Sequence, residues 1–167
     1  KIDGFNIVFT GVLSKNHNYD IFNDALELIN PKKNNYKIRL ILAGSIDKEV
    51  KDLFPKNIHI DFKGYVSHEK AIGLIKSSNI LVNFTYKNTE ETDMLSGKLI
   101  EYLATGSPII NFSEDAEESK LILSLSQKSF NADYSSGNRV AEFIIKEYES
   151  WMHGNYKKQN LNNLEFL

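Results

Sequence analysis

Five short runs rich in β-branched and aromatic residues punctuate the chain, at residues 5–10, 38–43, 58–62, 80–84 and 108–112. Each is five or six residues long and flanked by Gly, Asn, Lys, Ser or Thr, the pattern of buried strands. Between them the apolar spacing changes to the helical period. Ile21, Ala25, Leu26 and Ile29 mark one face of a first helix, and Ala71, Leu74 and Ile75 mark another; residues 48–53 read as a short helix and 140–151 as a longer amphipathic one. The order β-α-β-α-β-α-β-α-β predicts a mostly parallel sheet, because parallel neighbours need crossover helices, and right-handed crossovers place helices on both faces. The expected class is therefore α/β, a Rossmann-like doubly wound sheet. Tyr102, Leu103, Ile109 and Ile110 are expected in its core, while His59 is read as facing outward or finding a core partner and His68 and His153 as surface residues.

The segment at 98–110, K-L-I-E-Y-L-A-T-G-S-P-I-I, carries the most information. It reads as a helix entered through the acidic and polar loop 89–97 and closed at Gly106, before Pro108 restarts the chain as a strand. Ser96 suits the helix cap, and Gly106 suits a left-handed C-terminal residue. A helix start offers backbone N–H groups to an anion, and Glu101, one turn in, can reach a hydroxyl. A phosphorylated sugar satisfies both. In an open α/β sheet ligands bind beyond the C-terminal strand ends, which selects the loops 11–18, 44–47, 64–68, 85–97 and 111–114. The turn at 31–35 is read as plain solvated chain, and the acids at 114–118 as the decoration of a helix start.

Composition narrows the chemistry. The 167 residues suffice for one domain, 1–167, and not for two nucleotide-binding halves. Residues 152–167, with Leu161, Leu164 and Phe166, are expected to form a tail that packs on an absent N-terminal domain. The chain opens on Lys1 and turns strand-like almost at once, so it reads as a piece of a longer protein. A net charge of −2 with interleaved lysines and acids argues against a nucleic-acid partner. There is no cysteine for a disulfide or thiolate site, and no apolar run approaches a membrane span, so the expected location is cytoplasmic. The dinucleotide fingerprint G-x-G-x-x-G, the P-loop and the G-x-S-x-G elbow are all missing. No pair of aspartates is spaced as D-x-D, so no metal or other cofactor is expected in the site.

Residues 9–11 (F-T-G), 41–44 (I-L-A-G), 62–66 (F-K-G-Y-V) and 98–108 (K-L-I-E-Y-L-A-T-G-S-P), taken in register, resemble the C-terminal, donor-binding half of retaining glycosyltransferases of the GT-B fold, the group 1, family 4-like enzymes. The resemblance covers roughly residues 5–123. It implies an acid-x7-acid pair, here Asp93 and Glu101, as the catalytic acids: Asp93, where the family carries glutamate, at the sugar ring, and Glu101 on the ribose hydroxyls. It further implies that the backbone of Leu99 and Ile100 meets the diphosphate with Lys98 beside them. Met94, Leu95 and Ser96 would line the sugar, Tyr65 and Val66 would border the base, and Gly11 would let backbone approach the phosphates.

Where the family carries an arginine and a lysine after that glycine, this chain has Val12 and His17, so Lys15 and His17 are the loop's candidate donor contacts. The implied activity is a metal-independent, hexosyltransferase-like transfer from a nucleotide diphosphate sugar to a glycan or glycolipid, in bacterial surface polysaccharide biosynthesis. The absent N-terminal half would bind acceptor and provide any peripheral membrane contact, and this fragment alone would be inactive. The rival reading is a non-catalytic α/β ligand-binding domain that has lost its phosphate clamp, and a more distant one is an epimerase- or phosphorylase-like relative with the same two-domain architecture.

Overall fold

A computed structural model describes residues 4–29, 35–87, 97–113, 116–126, 128–132 and 137–159. Asp93, Met94, Leu95 and Ser96 lie outside the described residues, as do Leu161, Leu164 and Phe166. The elements in chain order are β1 Phe5–Leu13, α1 Asp20–Leu28, β2 Ile38–Ile46, α2 Lys48–Leu53, β3 His59–Gly64, α3 His68–Ser77, β4 Ile80–Phe84, α4 Gly97–Leu103, β5 Ile109–Phe112, α5 Ala116–Leu125, β6 Phe130–Asn131 and α6 Gly137–Met152.

The six strands form one sheet in the order β3-β2-β1-β4-β5-β6, with every neighbouring pair parallel. Alternation along β1 sends Phe5, Ile7, Phe9 and Leu13 to one face, where Phe22, Ala25 and Leu26 of α1, Val50 of α2 and Val140, Ala141, Ile144 and Tyr148 of α6 bury them. Val8, Ile41, Leu81 and Ile109 point to the other face, under Ile75 of α3, Leu99, Tyr102 and Leu103 of α4 and Ile122 of α5. The doubly wound expectation therefore holds. Strand order reverses between β1 and β4, and the ligand-binding crevice of such sheets lies there.

Two features depart from the sequence reading. β1 and β2 run on past residues 10 and 43 to Leu13 and Ile46, because Gly11 and Gly44 lie opposite each other in register and continue the ladder instead of ending it. β6, two residues long, has too little apolar sequence to signal a strand; it is recruited by pairing, Ile110 with Phe130 and Asn111 with Asn131. His59, His68 and His153 are exposed, and Tyr102, Leu103, Ile109 and Ile110 are buried, as expected.

A row of amides crosses β4, β5 and β6, buried on the first two. The Asn83 amide donates to Asn111 Oδ1 at 2.8 Å, and the Asn111 amide donates to Oδ1 of the half-buried Asn131 at 3.0 Å. Asn111 is fully buried and Asn83 nearly so. Removing the middle member takes the acceptor from the buried Asn83 donor, and a buried donor left so is costly. Asn111→Ala is expected to lower unfolding stability by about 1–3 kcal/mol, read as a shift of the urea midpoint at unchanged slope.

Candidate functional site

The site is built on a glycine floor. Gly11 and Gly44 adopt φ values of +131° and +122°, a region that L side chains rarely enter. A Cβ on residue 44 would fall 2.0 Å from the Gly11 carbonyl oxygen, so the two strands can approach this closely only without one. Above this floor lies Lys98 of α4. Its Nζ stands 4.8 Å from the centroid of the Phe9 ring and 3.8 Å from where a Cβ on Gly11 would be. A cation thus sits over open backbone at the C-terminal end of β1, partly drawn from water by an aromatic face.

One hydroxyl ties α4 to β1. Tyr102 is fully buried, and its OH accepts from the Thr10 N–H at 2.9 Å and lies 3.2 Å from Thr10 Oγ1. Burial pushes the phenol up to about 12, with its Thr10 bonds working against that, so the OH stays neutral at working pH. One residue earlier, Glu101 projects at the helix surface with its side chain about 39% exposed. Its Oε1 is 3.9 Å from Nε2 of His68, the first residue of α3. This ties the loop after β3 to α4. Tyr65, on that loop after Gly64, is 92% exposed, so its ring has a free face; Val66 is half-buried. Ser67 caps α3 by accepting from the Lys70 N–H.

The loop after β1 turns back on β4. His17 is 4% exposed, and its Nδ1 lies 3.0 Å from both the Ser14 N–H nitrogen and Ser14 Oγ. Its ring packs on Tyr86 with centroids 4.1 Å apart. Burial, then the charge of Lys98, hold the imidazole below its ordinary 6.5, while the Ser14 backbone and Asp47 oppose that shift. Lys15 is exposed on the same loop.

Of the residues singled out from the sequence, the fold gathers Gly11, Lys98 and Glu101 at one strand end, with Tyr65 and Val66 on the loop joined to Glu101 through His68. Leu99 buries its side chain in the core, leaving only its backbone to meet a ligand, and Ile100 is 36% exposed. His68, read from sequence as a plain surface residue, stands beside the Glu101 carboxylate. Its signal was position: it ends one of the five loops that a doubly wound sheet turns toward a ligand. The roles of Phe9 and Tyr102 in placing α4 had no signal beyond apolar periodicity.

Residues 4–124 match the family described as "Glycosyl transferases group 1". The chain belongs to that family. No curated protein matches this group 1 domain by sequence. Among solved structures, it is similar to Anabaena HepE in complex with UDP-glucose, at 15% identity and a TM-score of 0.66, covering 97% of this chain and 44% of that one. It is also similar to the catalytic domain of cholesterol-alpha-glucosyltransferase from Helicobacter pylori, at 17% identity and a TM-score of 0.59, covering 91% of each chain. The domain thus spans less than half the length of HepE. Its all-parallel sheet is similar to those of GT-B glycosyltransferases. No described helix of this domain is long and apolar enough to cross a membrane.

Because the Tyr102 hydroxyl joins α4 to β1, Tyr102→Phe should leave the Thr10 N–H without its partner at nearly constant volume. The expected loss is about 1–3 kcal/mol of stability, measured by denaturant unfolding, with the Thr10 amide exchanging faster with solvent in the folded variant.

Proposed function

We propose that this chain is the donor-binding half of a retaining glycosyltransferase that moves a sugar from a nucleoside diphosphate sugar to a glycan or glycolipid, in bacterial surface polysaccharide assembly. The observation that carries the reading is the Lys98 ammonium above the Gly11 backbone with Glu101 one turn along the same helix. A diphosphate fits over the floor against Lys98, and a ribose beyond it reaches Glu101. The likeness to a protein solved with UDP-glucose supports the same ligand class. Val12 and His17 had motivated the rival reading of a decayed clamp; Lys98 answers it by bringing the cation from the helix instead of the loop. As a point charge it neutralises without the two-pronged geometry of an arginine.

In the reaction, the bond between the anomeric carbon and the phosphate oxygen breaks, and its electron pair leaves with the diphosphate. Lys98, with the backbone of Leu99 and Ile100, stabilises the charge that develops there, in a site set before the reaction begins. An acceptor hydroxyl attacks from the face the diphosphate leaves, and its proton passes to the departing phosphate oxygen. Asp93 takes the sugar hydroxyls in this reading, with Met94, Leu95 and Ser96 lining the sugar. No metal is needed where Lys98 supplies the charge. The acceptor is bound by an N-terminal half of the same protein, where membrane contact would also lie, so this domain binds donor and transfers nothing by itself.

The test is calorimetry of this chain against UDP, GDP, ADP, CDP and TDP, without added metal and again with Mg²⁺. One diphosphate should bind selectively in both conditions. Lys98→Ala and Glu101→Ala should each weaken it by about 1.5–3 kcal/mol, the worth of a charge-assisted hydrogen bond. Rising salt should weaken the wild type more than Lys98→Ala. Silence toward all five at millimolar concentration, or affinity unchanged in both folded variants, would overturn the reading.

A further inference from the structure

We propose that the neutral imidazole of His17 is a positioning residue: it latches the loop after β1 to the segment after β4 across the donor crevice, and its protonation opens that latch and weakens phosphate binding. The ligand half of this statement rests on the donor-binding reading above.

The geometry determines the tautomer. The Ser14 N–H points at Nδ1 at 3.0 Å, so Nδ1 must accept. The Ser14 hydroxyl already accepts from the Asn16 N–H at 3.4 Å, which leaves its proton for Nδ1, 3.0 Å away. The ring proton therefore sits on Nε2. An imidazolium carries protons on both nitrogens and accepts nothing, so protonation turns Nδ1–H against the Ser14 N–H.

What His17 holds is a short antiparallel clasp. His17 and Tyr86 form a bridge, the Asn18 N–H donates to the Thr85 carbonyl at 2.8 Å, and the Lys87 N–H donates to the Asn16 carbonyl at 2.7 Å. The Asn18 side-chain amide donates to Thr85 Oγ1 and to the Tyr86 carbonyl, and Lys87 pairs with Asp20 at the start of α1. α1 and α4 leave their strands on opposite faces, so this clasp spans the point where strand order reverses. Chain leaves it at Lys87 and re-enters the described structure at Gly97, one residue before Lys98. A loosened clasp releases the loop after β1 from the end of β4, at the mouth of the crevice.

Burial is the largest influence on the ring and favours the neutral form. The Ser14 backbone works against it, Lys98 faces the ring from α4 and repels an imidazolium, and Asp47 faces it from the end of β2 and attracts one. Tyr86 contributes a ring face, the Asp20 and Lys87 charges offset each other, and Lys15 stands exposed in the same loop. The folded state holds His17 below its unfolded value of 6.5, so the clasp's contribution is fully present above that pH and is lost as pH falls below it. A lysine at this position could not accept the Ser14 bond at all, which separates His17 from the family's usual residue.

The experiment compares wild type, His17→Asn and His17→Ala. Asparagine can place its carbonyl oxygen near Nδ1, keeping the acceptor and removing the titration. Nitrogen-15 spectra of wild-type His17 should show the Nε2–H tautomer with a midpoint below 6.5. At one neutral pH, exchange of the Ser14, Asn18 and Lys87 amides should be roughly tenfold faster in His17→Ala than in wild type, the effect of one hydrogen bond, with His17→Asn close to wild type. Inorganic pyrophosphate serves as a base-independent binding probe. Its affinity should fall more steeply from about pH 8 to about pH 5.5 in wild type than in His17→Asn, and the probe's own titration cancels in that comparison. An Nδ1–H tautomer, a midpoint at or above 6.5, equal exchange in His17→Ala, or equal pH slopes where pyrophosphate binds would overturn the proposal. If pyrophosphate binds none of the three while spectra and exchange match expectation, the donor-binding reading fails and the clasp stands without its ligand role.

Discussion

The close approach of β1 and β2 at Gly11 and Gly44 is the constraint on which the rest of the site depends. With the Gly11 carbonyl 2.0 Å from where a Cβ on residue 44 would stand, the two central strands can run in register to Leu13 and Ile46 only as long as residue 44 stays bare, while residue 11 favours glycine through its φ of +131°. That extension has two consequences. It leaves a patch of side-chain-free backbone where Lys98 can lie, and it launches the loop after β1 far enough along the sheet to fold back onto Thr85 and Lys87. Shorter strands would give neither.

Charge at this site is carried by elements of different stiffness. Lys98 and Glu101 lie three residues apart on one helix, so their separation is set by helical geometry. Lys15, by contrast, sits exposed on a loop and must be ordered by whatever it binds. A cation carried by the helix has its position set before that loop is ordered. The loop keeps a different task, closing the crevice, and an uncharged His17 beside Lys98 suits it better than a second cation would.

The sheet was readable from sequence because its signals are local. Residues 80–84 and 48–53 coincide with β4 and α2, and the reversal of strand order follows from alternation and handed crossovers. What could not be read depends on pairing across space. Gly11 and Gly44 look like strand ends until one knows they face each other, and the Phe130–Asn131 strand exists only because β5 offers it an edge. The same division runs through the site. Glu101 was found from a segment and its spacing, Lys98 and Gly11 through the family resemblance, and the fold brings all three to one strand end. That His68 meets Glu101, that His17 buries its ring on Tyr86, and that Tyr102 reaches Thr10 are contacts between residues 33, 69 and 92 positions apart, as counted from their numbers, with no trace in local composition.

α4 is only seven residues long, too short to be stable by its own hydrogen bonds and too short to lend much dipole to an anion. Its position is therefore imposed from outside, at two points. In its last turn Tyr102 accepts from the Thr10 N–H of β1. At its C-terminal end Gly106, at φ +68°, accepts from the Gln159 N–H at 2.8 Å, and the Gln159 carbonyl comes so close that a Cβ on residue 106 would fall 2.2 Å from it. Residues 155–159 reach that point by crossing the N-terminal end of the sheet, where the Tyr156 hydroxyl donates to the Asn79 carbonyl and Lys158 donates to the Lys76 carbonyl. The late chain thus braces the far end of the helix that carries Lys98 and Glu101. A short helix fixed at both points moves as a unit or not at all, so the placement of Lys98 and Glu101 is set by packing in the core and by the chain crossing beneath it.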